Sequence, residues 1–401
     1  MKDKPHFFPN IVPGRFLERQ NRFIARCLVD GKCVNAYLPN PGRLWELLFP
    51  GAVLYLVPHD AGFEGRTDFI VAAVERDGIP VMIHTQVNNL VARHLLDQGS
   101  IPGLEGASIV QQEKKYGASR FDFLLKKGAS SVIVEIKSCT LAGNRLAMFP
   151  DAVTLRGTRH LQKLAALSRA GLQTAVIFLI HWPHAEYFLP EYHTDLVFAQ
   201  TLLSVKDDVM VRAVSVAWTR QLEPGRVKEA VIPWHIVERE AHDRGSYIFV
   251  MRLRKNRTVA VGNLGETRFR KGYYLYVGSA REHLAKRLER HRRLIKKNHW
   301  HIDYLRQAAD VHAVIPVRTK DDLECALAEA LSTIADQRID GFGSSDCRCR
   351  THLFGMDNDP LHSHAFIKFL QHFRIDRLEP LLVPGEALSS QGAAGQRQRF
   401  S

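Results

Sequence analysis

A chain of 401 residues exceeds what one ordinary core holds, so two or three domains are expected. Hydrophobic content of 45% and charged content of 24% are those of a globular protein, and no run of about 18 apolar residues marks a membrane-spanning helix. The net charge of +13 favours a polyanionic partner, with the excess densest between residues 241 and 360. Six cysteines without an even framework, and an N-terminus lacking an apolar leader core, give the expectation of a cytoplasmic protein with no membrane partner.

Residues 11–100 read as mainly β. Residues 15–29 alternate basic and apolar side chains, Asp30-Gly31-Lys32 turns the chain, and Pro39-Asn40-Pro41-Gly42 turns it again. Strands are expected at 33–38, 51–58 and 69–74. Short strands at this spacing suggest a small barrel, one option being the oligonucleotide-binding (OB) type, over residues 1–85. Arg15, Arg19 and Arg22, with Arg43 beyond the second turn, are candidate nucleic-acid contacts beside Phe16 and Phe23. The competing reading puts the phenylalanines in the core and the arginines in water.

Residues 86–97 have helical spacing and open an α/β segment over 86–235. Strands are expected at 121–125 and 132–136, a helix at 154–170 and a buried parallel strand at 172–180. Within the first pair, Glu135 and Lys137 share one face because side chains alternate along a strand, and Asp122 on the partner strand can meet them. Two carboxylates and a lysine on a mostly apolar sheet are costly unless paired, solvated or metal-bound. Asp122 and Glu135 are therefore candidate ligands for Mg²⁺ or Mn²⁺, and Lys137 a candidate to orient water or stabilise phosphate charge. A Glu–Lys ion pair on a wet face is the alternative.

The stretches RFLERQNRFIARCLVDGK, PNPGRL, KKYGASRFDFLL, VEIKSCTL, FPDAVTLRGTRHLQKL and AVIFL resemble the sugar fermentation stimulation protein family over residues 10–235. The resemblance implies an N-terminal OB-type barrel, a PD-(D/E)XK nuclease-like α/β domain and DNA binding. Its motif falls on Asp122, Glu135 and Lys137, with Phe121 where the motif has proline. It makes Glu113 a candidate upstream acid and places His160 and Lys163 on a helix bordering the site.

Residues 236–243 read as a linker, and a third domain is expected over 244–356. Strands at 245–250, 258–261 and 272–279 precede a basic helix at 280–297, whose Lys/Arg surplus suits phosphate contact through Arg290, Arg293, Lys296 and Lys297. GSYIF, GYYLYVGSA, RLERH, HWHIDYL, ECALAE and GFGSSDCRCRTHLF together resemble a GIY-YIG-related family of unassigned function. That resemblance implies an α+β nuclease-like domain. Tyr247 and Tyr276 stand in the two triplets, Arg287 and His291 on the helix, and Glu329 is the metal-binding acid, with Glu324 as the alternative. The triplets lie about thirty residues apart, which requires an enlarged hairpin.

Trp300, His301, Asp303 and Tyr304 are expected to cap the basic helix. Cys347, Cys349 and His352 offer three soft ligands, with Cys325 or His301 as a fourth; the tight Cys-x-Cys spacing favours buried thiols over a structural Zn²⁺. Residues 357–401 read as an extension with a helix at 366–373 and a disordered end at 389–401. The chain as a whole is expected to be a multidomain α/β and β protein that binds DNA. It carries two nuclease-like domains acting on phosphodiesters with Mg²⁺ or Mn²⁺, or else is a regulator that binds without cutting.

Overall fold

The computed structural model describes residues 7–60, 62 and 64–382. Strands β1 (Val12–Asn21), β2 (Ile24–Val29), β3 (Lys32–Tyr37), β4 (Val53–Pro58) and β5 (Phe69–Arg76) pair antiparallel in the order β3-β2-β1-β4-β5, and the sheet closes where β3 meets β5 in parallel. Strand β6 (Ile79–Met82) extends it beside β5. Closure removes the free edges, as the OB-type expectation requires. Alternate residues Phe16, Ala25, Cys27, Val29, Leu54 and Leu56 fill the interior.

Helix α1 (Asn88–Asp97) leads into the second sheet. It holds β7 (Ser108–Tyr116), β8 (Ser119–Lys127), β9 (Ser130–Cys139), a small strand β10 (Leu146–Phe149) in a separate pair, and helix α2 (Leu155–Arg169). It continues through β11 (Gln173–Ile180), β12 (Tyr187–Pro190) paired with β10, helix α3 (Leu196–Ser204), β13 (Met210–Trp218) and β14 (Pro224–Ala230). The order is β14-β13-β11-β9-β8-β7, parallel across β9, β11 and β13 and antiparallel at both margins. Strand β11 is buried from Thr174 to Ile180 because one core covers each face, which explains its unbroken apolar run. Thr154 caps α2 by accepting from the Gly157 N–H at 3.1 Å.

The expected linker is instead helix α4 (Trp234–Glu240), which buries Ile236, Val237 and Glu240. It is a joint, not a tether. Arg239 pairs with Asp321 at 2.6 Å and Glu240 with Arg377 at 2.9 Å, tying the second domain to the third.

In the third domain β15 (Gly245–Leu253) pairs along its full length with β18 (Gly272–Ala280). The enlarged connection folds as its own hairpin, β16 (Arg257–Ala260) and β17 (Glu266–Phe269), so the long spacing leaves the tyrosine strands in direct register. Helix α5 (Leu284–Arg292) ends earlier than the expected 297 and is followed by helix α6 (His301–Arg306). Strand β19 (Asp310–Arg318), helix α7 (Glu324–Leu331), β20 (Gln337–Arg338), β21 (Leu353–Met356) and helix α8 (His364–Arg374) complete it.

Helix α8 is no appendage. Phe366, Ile367, Phe369, Leu370 and Phe373 share a core with Ile248, Leu275 and Leu327, so the domain continues past the expected boundary at 356. Arg374 then reaches back, donating to Glu191 and Thr194 at 2.8 Å each. The expectation of disorder for 389–401 lies outside the described residues.

Candidate functional site

Strands β8 and β9 pair regularly from Lys127↔Ser130 to Phe123↔Val134, and there the ladder stops. At the next position the Asp122 carboxylate takes over: Oδ2 accepts from the Ile136 backbone N–H at 2.7 Å and Oδ1 from Asn89 Nδ2 at 2.8 Å. Phe121 enters the core beneath α2 while Phe123 and Leu125 enter the opposite one, so the face alternation breaks at Asp122. Two acids reach one place because the strands part there.

Glu135 lies on the α2 side, 4% exposed. Its Oε1 accepts from Lys137 Nζ at 2.5 Å and from His160 Nδ1 at 2.7 Å. Arg156 Nε donates to His160 Nε2 at 3.4 Å, which makes Nδ1 the protonated nitrogen facing Glu135. Glu135 Oε2 is buried and has no hydrogen-bond partner among the described residues.

The two acids differ electrostatically. Burial, then the charge of Glu135, pushes the Asp122 carboxyl above its ordinary range despite its hydrogen bonds. Burial also opposes charge on Glu135, but the His160 and Lys137 hydrogen bonds outweigh it and hold that group below its ordinary value. The site thus keeps one firmly ionised carboxylate with a free oxygen beside a second acid strained by like charge. This donor set fits a hard divalent cation, which would satisfy Glu135 Oε2 and relieve Asp122.

The expected trio Asp122, Glu135 and Lys137 comes together. Asn89 and His160 complete it: Asn89 carried no sequence signal, whereas His160 sits among Gly157, Leu161 and Leu164 on the buried stripe of α2, where a histidine needs a partner. Glu113 occupies the neighbouring edge strand in a left-handed conformation (φ 54°) and ion-pairs with Arg120 at 3.3 Å.

The basic expectations divide. Arg15 and Arg22 are exposed on the barrel, with Phe23 46% exposed beside them. Arg19 is instead consumed internally: its guanidinium donates to the carbonyls of Gly42, Arg43, Arg22 and Asn40. Arg43 donates to the Asp151 carbonyl at 2.6 Å and Thr194 Oγ1 at 2.7 Å, stacking over Trp45. These two arginines are partly buried, and their donors are spent joining chain segments.

In the third domain Tyr247 and Gly278 are direct partners across β15 and β18, and a Cβ at Gly278 would collide with the Tyr247 hydroxyl. Tyr247 Oη lies 2.8 Å from His291 Nε2, and both are buried. Burial pushes both Tyr247 and Tyr276 hydroxyls well above their ordinary range, with the charge of Tyr276 adding for the first and of Glu324 for the second. Arg287 donates to the Ser279 carbonyl at 2.8 Å and lies over Trp300.

Glu324, not Glu329, belongs to this cluster. Its Oε2 accepts from the Ser279 hydroxyl, and its Oε1 lies 2.9 Å from His352 Nδ1. Glu329 is exposed and lines a cavity with Cys325, Arg338 and Arg348.

Arg290 and Lys296 hold Asp303, at 3.0 and 2.9 Å, with His291 Nδ1 at 3.5 Å. Burial opposes charge on Asp303, but hydrogen bonds from His291, Lys296 and the His299 and Trp300 N–H groups hold it well below the carboxylate range. Asp303 caps the start of α6, its carboxylate accepting from the Trp300 N–H at 3.2 Å, which corrects the expectation that Trp300 and Asp303 cap the basic helix. Arg293 and Lys297 remain exposed.

A closed OB-type barrel, a mixed sheet with paired acids at a strand opening, and a tyrosine-bearing α+β domain define a three-domain α/β and β chain. The comparisons place it: residues 17–83 match the SfsA N-terminal OB domain, 86–222 the sugar fermentation stimulation protein RE domain, and 246–375 the domain of unknown function DUF123, which is GIY-YIG-related. A sugar fermentation stimulation protein homolog of Desulforamulus reducens is 37% identical over 194 residues, covering 48% of this chain and 80% of the relative. One of Pyrobaculum arsenaticum is 36% identical over 213 residues, covering 52% and 90%. The structure of Pyrococcus furiosus SfsA in complex with Ca²⁺ aligns with a TM-score of 0.53 and 28% identity, covering 57% of this chain and 99% of that one. The chain belongs to the sugar fermentation stimulation protein family. Among the described residues no helix is long and apolar enough to cross a membrane.

Proposed function

We propose that this protein binds DNA and hydrolyses phosphodiesters at the Asp122–Glu135–Lys137 site with Mg²⁺ or Mn²⁺. The observation that carries the reading is Glu135 Oε2: a buried carboxylate oxygen without a hydrogen-bond partner among the described residues, beside a second, partly buried acid. Asp122 and Glu135 would hold the ion, which would supply Lewis-acid stabilisation and a more acidic bound water. The family member from Pyrococcus furiosus, described in complex with Ca²⁺, supports a divalent ion in this fold.

The chain's own residues set up that chemistry. His160 and Lys137 both occupy Glu135 Oε1, which leaves Oε2 for the ion and fixes the carboxylate plane. Asn89 and the Ile136 N–H fix Asp122. Lys137, partly exposed, is placed to orient water or to stabilise charge on a transferred phosphate. Arg15, Arg22, Arg293 and Lys297 are exposed and supply phosphate contacts, Phe23 a stacking face.

The third domain serves as a nucleic-acid-holding module on a nuclease-like fold. Both oxygens of Glu324 are engaged and Glu329 lies on the exposed side of α7, so the tyrosine cluster lacks the free acid that Glu135 offers. Incubation of single-stranded, duplex and branched DNA, and RNA, with Mg²⁺ or Mn²⁺ tests the assignment. Glu135→Ala and Lys137→Ala should abolish cleavage; Glu329→Ala should retain it. Steeply salt-dependent binding without cleavage by the wild type would sink the enzymatic half and leave a non-cleaving DNA-binding regulator.

A further inference from the structure

Cys325, Cys347, Cys349 and His352 come from three places in the third domain: the first turn of α7, the loop after β20, and the residue preceding β21. Each offers one donor atom, and the four atoms lie within 4.8 Å of one another. Cys347 Sγ is 3.4 Å from His352 Nε2. Four ligands around a tetrahedral zinc, at bonds of about 2.3 Å to sulfur and 2.0 Å to nitrogen, stand about 3.5–3.8 Å apart, so the cluster needs only a small contraction. His301, the other candidate for a fourth ligand, is committed elsewhere: its Nδ1 accepts from the Gly343 N–H at 3.0 Å.

The surroundings fit a metal better than buried thiols. Cys325 is exposed, and Cys347 and Cys349 are only partly buried, so apolar packing does not account for three cysteines meeting there. His352 is 1% exposed, and its Nδ1 lies 2.9 Å from Glu324 Oε1. That carboxylate fixes the tautomer with the proton on Nδ1, leaving the Nε2 lone pair turned toward the sulfurs. The Cys349 backbone N–H points at Cys347 Sγ at 3.4 Å, a contact that stabilises a thiolate. The loop carrying two of the ligands has little regular structure, and a closed four-ligand site would tether it to α7 and β21.

We propose that Cys325, Cys347, Cys349 and His352 form a structural zinc site. Three thiols and one imidazole in a four-coordinate, closed arrangement select zinc over the hard ion proposed for Asp122 and Glu135. Binding removes the thiol protons to solvent and leaves no open coordination position, so the site is architectural. Its neighbour Glu324 also accepts from the Ser279 hydroxyl, and the Ser279 carbonyl accepts from Arg287, so the zinc anchors the arginine of the tyrosine cluster.

The test is elemental analysis of tag-free, full-length protein purified without chelator. One zinc per chain is expected, and exchange to Co²⁺ should give tetrahedral d–d bands with a thiolate charge-transfer band. Cys347→Ser/Cys349→Ser should lose the zinc, Cys33→Ser outside the cluster should keep it, and Glu324→Gln should bind it roughly 10–100-fold more weakly. The cobalt spectrum of the wild type decides the matter if the double variant fails to fold. Wild type without stoichiometric zinc, a cobalt spectrum lacking thiolate character, or acid-labile sulfide from an iron–sulfur cluster would each overturn the proposal.

Discussion

Replacing Asp303 by Asn isolates the polar network that holds the third domain's basic segment. Asp303 is fully buried and accepts from Arg290 at 3.0 Å, Lys296 at 2.9 Å, and the His299 and Trp300 N–H groups at 3.0 and 3.2 Å. Asparagine keeps the shape but removes the charge, and turns an N–H₂ toward cations or backbone donors. Lys296, 7% exposed in its side chain, then lies buried without its counter-ion. Breaking a buried pair from one side costs about 3–5 kcal/mol.

The pH dependence follows from the direction of the Asp303 shift. Its folded value lies below the unfolded one, so its contribution is full above the ordinary carboxylate value of about 3.9 and fades as pH falls below it. The gap between wild type and Asp303→Asn should therefore be widest near neutrality and narrow below about pH 4. Native-state hydrogen exchange across α5 and α6, with urea unfolding of the full chain, measures both. A deficit under about 1 kcal/mol, or one equally large at pH 3 and pH 7, refutes the account of this network.

Three further outcomes are expected. Gly278→Ala places a methyl group against the Tyr247 ring, 2.5 Å from Cζ, and should cost about 1–3 kcal/mol by calorimetry while leaving cleavage at the α/β site unchanged. Arg374→Met leaves Glu191, 1% exposed, without its cation and should destabilise the junction of the second and third domains by about 3–5 kcal/mol, read as faster proteolysis between them. Arg293→Ala and Lys297→Ala should each lower the salt slope of DNA affinity by about one, whereas Arg19→Ala should act through stability, because its donors are spent on carbonyls.

Much of the fold was legible because the patterns were local. The alternation of β1 and β2, the unbroken run of β11 and the paired acids of β8 and β9 all announce themselves within a few residues. Strand β7 did not, since its sequence SIVQQEKKY lies exposed at an edge and carries no apolar face to read. Arg19 and Arg43 read as surface charge because sequence cannot show that carbonyls of a turn and of another domain converge on them. Cys325 as the fourth soft donor was equally a matter of long-range folding, offered but undecided in the sequence.

The acid that joins the tyrosine cluster was legible in helical spacing. Glu324 stands three, four and seven positions before Leu327, Ala328 and Leu331, which places it on the buried stripe of α7, while Glu329 shares a face with exposed Cys325. Helical spacing alone favoured Glu324.

Calorimetric titration of Mn²⁺ into zinc-replete protein measures directly whether Asp122 and Glu135 hold a divalent ion. One Mn²⁺ site per chain is expected in the wild type and in Glu329→Ala, lost in Glu135→Ala and in Asp122→Ala. Unchanged Mn²⁺ binding in Glu135→Ala would contradict the assignment.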